Sequence, residues 1–415
     1  MRPTLTAGSR LASRRWAVVG LVVLAVLSQA ALSTLVSSFG SRPADELVVF
    51  FQALIVASIL TVPGIAIVAF IDRRERESPW LYAFALGWGM LGAAGLSLLL
   101  NTEAFRSMLS VTAQVDGGMA AVTGFNDLTR LFVAVVFAPP IEELTKAIAL
   151  VLLVFFLRGQ FFTMRDGIVF GLLVGMGFNL LEAPFYLMNG YAADGVIPWQ
   201  QQLLGRFLFL GLNGHALYTA LFGAGLGYLA QRGGARGMLG AIGGGAAAIA
   251  AHMLNNALGG VVLGLILMAL GYDLSTIEDA AAFFASIPAA TYWFADALAT
   301  LILQGWAYLL LAVLLVRSAR YEQRVIREEL AHEIGGAITR EEYAGIGAEG
   351  RFALRRIPGV PARTSRDLVN AQNRIALLRA RARHEGRDPT VDVQVVAWRA
   401  EVDRLRSSLT GVPSR

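Results

Sequence analysis

Glu142, Glu143, Lys146, Glu182, His215, His252 and Asn256 are the residues of this 415-residue chain whose types suit chemistry, and each falls inside a long apolar run. Such a set suits the activation of water. A glutamate withdrawn from bulk water can act as a general base, and a histidine can share the proton or donate to a developing oxyanion. Asn256, four residues after His252, is a neutral donor on the same helix face, as an oxyanion site needs. The same residues also read as a zinc site, with Glu142, Glu182, His215 and His252 as candidate ligands and a further glutamate as base. No H-E-x-x-H is present, so the zinc reading lacks a local signature. The chain has no cysteine, which excludes disulfides, thiolate metal sites and a cysteine nucleophile. No Ser/His/Asp arrangement stands out, and aspartate is too scarce in the apolar region for an aspartyl dyad.

Spacing says which elements must carry these groups. Glu142 and Lys146 are four residues apart and Glu143 and Lys146 three, so both carboxylates reach the lysine on a helix. The lysine neutralises one of them and leaves the other over. Glu143–Lys146 reads either as a structural ion pair or as part of the catalytic set. Phe178 and Glu182, His215 and Thr219, and His252 and Asn256 are again four apart. Phe178 reads as a wall of the site and Thr219 as a helix-packing hydroxyl. Four consecutive helices must therefore each turn polar side chains to one face.

The helices are written in the composition. Hydrophobic residues make up 56% of the chain and charged residues only 16%, against about 45–50% and 25% in soluble domains. Mean hydropathy is +0.58. Runs long enough to cross a bilayer predict eight spans, at 16–38, 47–70, 80–100, 131–157, 167–188, 207–230, 238–265 and 293–316. The seventh is rich in Gly and Ala and open to tilting or breaking. The first reads as a retained anchor, since it is long for a cleaved signal peptide. With the N-terminus inside, eleven arginines fall on inner segments and four on outer loops, which places both termini in the cytoplasm. Counted from the outer span ends at about 1.5 Å per residue, Glu182, His215, Glu142 and His252 lie roughly 9, 12, 17 and 20 Å deep. That is one layer, reached from outside. Pro139-Pro140 should interrupt the fourth span and restart it with Glu142 and Glu143 in the first turn. Gly171, Gly175, Gly223, Gly227, Gly240 and Gly244 have the spacing of closely packed membrane helices, and Trp80, Trp199 and Trp293 that of interfacial anchors.

The sequence thus predicts an all-α, polytopic membrane helix bundle of about eight spans, followed by a helical cytoplasmic tail. Its parts are an N-terminal three-span region (1–130), a core (131–265), a last span (266–316) and the tail (317–415). The tail holds 19 Arg against 13 acidic residues, whereas residues 1–316 sum to −1. Helices are expected at 320–333, 365–385 and 389–408, the last opened by Asp388-Pro389. No chemistry is evident in the tail, whose arginines suit anionic lipid, and nothing points to nucleic acid.

EELTK at 142–146 has the form E-E-x-x-K, FNLLE at 178–182 the form F-x-x-x-E, and HMLNN at 252–256 the form H-x-x-x-N, with HALYT at 215–219 supplying the isolated histidine between the last two. In this order, on consecutive spans, the set resembles the PrsW family of intramembrane proteases, which is similar to the CaaX prenyl endopeptidase and bacteriocin-processing (CPBP, Abi) superfamily. The resemblance covers about residues 130–260. It implies Glu142 as catalytic base, with Glu143 and Lys146 completing its motif. It further implies Glu182 and His215 orienting or activating water, and His252 and Asn256 as the oxyanion pair. The implied substrate is a membrane-anchored protein of the anti-sigma-factor kind, cut near the external face of the plasma or inner membrane. The CaaX relatives have His where this chain has Glu182 and Arg where it has Lys146, which speaks against lipidated CaaX substrates. Metal use stays open, with zinc the candidate. Readings of another class are a proton- or ion-coupled transporter, since intramembrane Glu, His and Lys also mark ion paths, and a non-catalytic scaffold for partner helices.

Overall fold

The computed structural model describes residues 13–74, 77–115, 125–157, 161, 163–274, 280–348 and 355–410. Among them there is no β-strand, as expected where water cannot satisfy backbone groups and each segment must bond to itself. Helices α1 (Arg14–Gly40) and α2 (Ala44–Ile71) form a hairpin. Arg42 in its turn pairs with Glu46 at 2.9 Å and donates to Asn189 at 2.7 Å. Helix α3 (Pro79–Gly87) continues through a π-helical stretch, Trp88–Ala93, into α4 (Ala94–Val115). Helix α5 (Phe125–Phe132) likewise passes through Val133–Phe137 into α6 (Ala138–Phe156).

Helix α7 (Met164–Asp194) is the axis of the bundle: 83% of its most apolar stretch is buried, against 17% for α1. It opens on a capping box between Thr163 and Asp166. Helices α2 and α3 pack on one side of it. On the other lies α9 (His215–Arg232), preceded by the short α8 (Gly205–Gly211). The contact between α7 and α9 is made by glycines. A Cβ on Gly175 would collide with the His215 carbonyl oxygen, and one on Gly171 with the Thr219 carbonyl oxygen. Helix α10 (Gly234–Ala269) packs on α9 through Gly244 and Gly225 in the same way. The short α11 (Ala280–Ser286) leads into α12 (Ala289–Leu330).

Several elements differ in their bounds or continuity from the expected ones. Among the described residues six helices are long and apolar enough to cross a membrane, or seven if the bent pair α8–α9 counts as one span, which supports a polytopic bundle without fixing the count of about eight. The expected fourth span is helical as α6, but it carries Glu142, Glu143 and Lys146 within 19 residues. The sixth span is not continuous: α8 and α9 meet at 61°. The seventh, by contrast, is one unbroken helix of 36 residues. The eighth does not stop near 316. It runs on through the separate helix expected at 320–333, giving 42 residues and about 63 Å. No glycine or proline lies between Val316 and Leu330 to end it.

The far end of α12 becomes one wall of the tail. Val325 packs with Leu368, Val369 and Ile375 of α14 (Ala362–His384) and with Val395 and Val402 of α15 (Val393–Thr410). A single-turn helix, α13 (Arg340–Ala344), lies between. Helix α15 does not start at Asp388-Pro389. Asp388 instead accepts from the Thr390 N–H and hydroxyl at 2.8 and 2.7 Å. Asp392 caps the helix, accepting from the N–H groups of Gln394 and Val395. The tail is latched to the core by a buried Arg374–Glu77 pair at 2.6 Å, by Asn373 donating to the Arg74 carbonyl at 2.9 Å, and by a 2.8 Å contact of His384 with the Arg232 carbonyl.

Breaking a buried ion pair costs about 3–5 kcal/mol. Arg374→Gln is therefore expected to make α14 and α15 sensitive to limited proteolysis in detergent. Arg404→Gln, which loses only a surface pair with Glu401, should leave the protease pattern unchanged.

Candidate catalytic site

Helix α6 delivers three of the seven residues. Pro139 and Pro140 do not interrupt the span; they sit in the first turn of α6, where proline needs no N–H partner, directly after the π-helical stretch. Glu142 and Glu143 consequently lie in the second turn rather than the first. Glu143 and Lys146 are fully buried, and their ion pair measures 2.6 Å. The other Glu143 oxygen accepts from the Thr219 hydroxyl at 3.1 Å, so Thr219 is more than a packing group. Lys146 Nζ also lies 4.2 Å above the Phe178 ring, which walls the site as expected.

Both histidines are oriented by carboxylates. Lys146 Nζ lies 2.7 Å from His215 Nδ1. An ammonium only donates, so Nδ1 accepts and Nε2–H donates to Glu182 at 2.6 Å. Glu182 is held in turn by Arg206. His252 Nδ1 donates to Glu143 at 3.2 Å, which leaves its Nε2 as an acceptor. Tyr218 stacks on the His252 ring, with centroids 4.9 Å apart. His215 is the first residue of α9 because the chain turns sharply just before it. Phe209 and Leu210 have φ of 51° and 62°, a region strained for bulky residues and characteristic of functional sites. Tyr308 of α12 holds this turn, donating to Asn213 at 2.8 Å.

Glu142 differs from its neighbour. Its Oε1 accepts from Asn101 Nδ2 of α4 at 3.1 Å. Its Oε2 is buried and makes no hydrogen bond to the described residues. That oxygen lies 3.8 Å from His252 Nε2 and 3.9 Å from His215 Nδ1. The three side chains offer one ligand atom each within 4.8 Å of one another. Tetrahedral zinc with bonds of about 2.1 Å sets its ligands about 3.4 Å apart, so the donor set fits such an ion after a small contraction. Carboxylates behind both imidazoles suit it too. Glu182 is outside this trio. Ligation through His215 Nδ1 also requires Lys146 to release that nitrogen.

Glu142, Glu182, His215, His252 and Tyr218 face a cavity of about 840 Å³ walled by α4, α6, α7, α9, α10 and α12, with Glu143 and Lys146 buried behind them. Asn256 lines it as well, but its amide donates to the Ala134 carbonyl at 2.9 Å rather than pairing with His252. The structure thus gathers Glu142, Glu143, Lys146, Glu182, His215 and His252 into one network and sets Asn256 on the cavity wall. Sequence reasoning missed Asn101, Arg206 and Tyr218. Asn101 falls one residue past the expected third span, and Arg206 falls in an expected outer loop; Tyr218 sits three residues from His215, a spacing that signals a shared helix face.

Lys146→Met leaves Glu143 buried without its cation, and thermal unfolding in detergent should register a loss of about 3–5 kcal/mol. Adding Glu143→Gln to that variant should recover much of the loss.

Residues 77–278 match the model of the PrsW family intramembrane metalloprotease. The match begins earlier than the motifs do and takes in the third span with Asn101. No curated protein and no solved structure matches the chain. With six helices among the described residues able to span a bilayer, the chain is a multi-pass membrane protein that is similar over residues 77–278 to PrsW family intramembrane proteases.

Proposed function

We propose that the chain hydrolyses a peptide bond of a membrane-anchored protein, with water activated at Glu142 Oε2. The observation that carries this reading is that oxygen itself: buried, without a hydrogen-bond partner among the described residues, and set between two imidazole nitrogens at the cavity wall. Glu142 takes a proton from the water as its oxygen attacks the scissile carbonyl carbon, and returns that proton to the departing amine. Asn101 fixes the carboxylate through its other oxygen. The second amide proton of Asn256, beyond the one given to Ala134, serves the oxyanion. Glu143 is committed to Lys146, Thr219 and His252, and Glu182 to Arg206 and His215; they orient the imidazoles rather than accept the substrate's protons. In the alternative, Glu142, His215 and His252 would hold a divalent metal, which when bound would supply Lewis acidity and a more acidic water, and Glu142 Oε2 would then be a ligand in place of the base.

The arginine distribution supports an outward-facing cavity and a cytoplasmic tail. The site lies towards the end of α7 away from Arg165, whose ion pair with Glu322 at 2.6 Å marks the tail side. A single-span protein with a short external domain, of the anti-sigma-factor kind, has its juxtamembrane segment at that level.

The test is cleavage of a panel of such single-span proteins by the purified protein in liposomes. Glu142→Gln keeps the side chain's shape and the Asn101 contact, so it should fold normally and lose about 10²–10⁴ of the rate. Cleavage at the wild-type rate would refute the assignment. A chelator added to the wild type separates metal-dependent from metal-free hydrolysis. Asn101→Leu should lower kcat with little change in KM, because Asn101 positions the base and not the substrate.

A further inference from the structure

A second cavity, of about 480 Å³, lies between the end of α2 and the start of α14. It is on the tail side of the bundle, where Arg165 stands some 25 Å along α7 from Glu182. Four arginines line it, Arg73, Arg355, Arg356 and Arg366, and no acidic residue does among the described residues. Elsewhere the tail's buried arginines are matched: Arg374 with Glu77, and Arg379 with Glu329 and Glu333. Arg399 and Arg406 take Glu333 and Glu342. Glu77, Glu329, Glu333 and Glu342 are thus engaged away from the cavity.

Arg355 is fixed by donating to the Glu342 carbonyl at 2.9 Å and to Gln372. Arg73 stacks its guanidinium 3.8 Å above the Phe70 ring, and its Nε is buried without a hydrogen-bond partner among the described residues. Arg356 and Arg366 are exposed. Helix α14 begins at the same place with no acidic residue in its first turn and no side-chain cap, which adds to the positive potential. Four guanidinium groups around one concavity repel one another unless an anion joins them, and guanidinium geometry matches phosphate. The remaining wall is of a different kind. Ala66, Ala69 and Phe70 belong to α2, one of the membrane-crossing helices, and Phe70 is 54% exposed. A ligand that satisfies both walls is anionic at one end and apolar at the other.

We propose that this cavity binds the phosphate of an anionic phospholipid, with the headgroup among the four arginines and the acyl chains along α2. A bound lipid then bridges the membrane core and the tail. The inference uses no residue of the catalytic site and stands apart from the hydrolase assignment.

The test uses the full-length protein purified in a neutral detergent, with phosphatidylglycerol, phosphatidylcholine or inorganic phosphate as probe. Native mass spectrometry counts bound lipid, and thermal unfolding reads stabilisation. Phosphatidylglycerol should be retained and should stabilise, phosphatidylcholine should not, and Arg73→Gln, Arg356→Gln and Arg366→Gln should each weaken retention about fivefold. A control triple variant at the exposed Arg324, Arg327 and Arg340 should retain the lipid as the wild type does. Equal loss in the control, or equal retention of phosphatidylcholine, would overturn the proposal. Stabilisation by inorganic phosphate to the same extent as by phosphatidylglycerol would overturn its lipid form and leave a soluble phosphate ligand.

Discussion

A fully buried ion pair between Glu143 and Lys146, on a helix inside the apolar bundle, is the constraint around which the rest is arranged. Neither charge could stand alone there, because an isolated ion in a low-dielectric interior carries a penalty of several kcal/mol. Pairing at 2.6 Å removes most of the problem but not all of it. The pair also has lone pairs and protons left to satisfy, and Thr219, His252 and His215 satisfy them. Those three come from α9 and α10, so the ion pair recruits two further helices. His215 in turn draws in Glu182, and Glu182 draws in Arg206. The polar network extends outward until it reaches the cavity. Glu142 is the carboxylate the network does not consume.

Much of this was legible in the sequence, for a simple reason. A charge or imidazole in an apolar run is a one-dimensional signal, and the four-residue spacings gave the helix faces. The types and the grouping of Glu142, Glu143, Lys146, Glu182, His215 and His252 could be read that way. What could not be read was anything set by three-dimensional approach. Arg206 looks like an ordinary loop arginine until the bend between α8 and α9 folds it onto Glu182. That bend has weak local cause, since two of its left-handed residues are Phe209 and Leu210 rather than glycine or asparagine. It is imposed by Tyr308 and Asn179, which bind the turn from neighbouring helices. Element ends were poorly legible as well. A helix has no reason to stop where the membrane stops, and α12 keeps its i to i−4 bonds well past the apolar run.

The continuity of α12 also explains how one chain joins unlike environments. Its first half borders the larger cavity through Thr300 and Leu303 and bonds to α10 through Gln304, which donates to the Ala251 carbonyl at 2.9 Å. Its last turns carry Glu329, which binds Arg379 and Arg383 of α14. The tail is therefore not appended by a linker. It is built on the protruding end of a helix that walls the site, and it is clamped a second time at the 72–78 connection through Glu77.

The glycine contact between α7 and α9 has a consequence for how accurately the site can be made. Glu182 and His215 sit on those two helices, and Gly175 touches the backbone of His215 itself. Where side chains separate two helices, their spacing inherits the play of every rotamer between them. Here two main chains rest directly on each other, so a single rigid stop replaces a stack of adjustable parts. The tolerance on the carboxylate–imidazole distance is that of covalent backbone geometry, and repacking elsewhere in the bundle does not loosen it. The same directness removes any means of compensation. A seam without side chains has nothing to repack, and one added methyl group must be absorbed by moving a whole helix, together with the histidine at its tip.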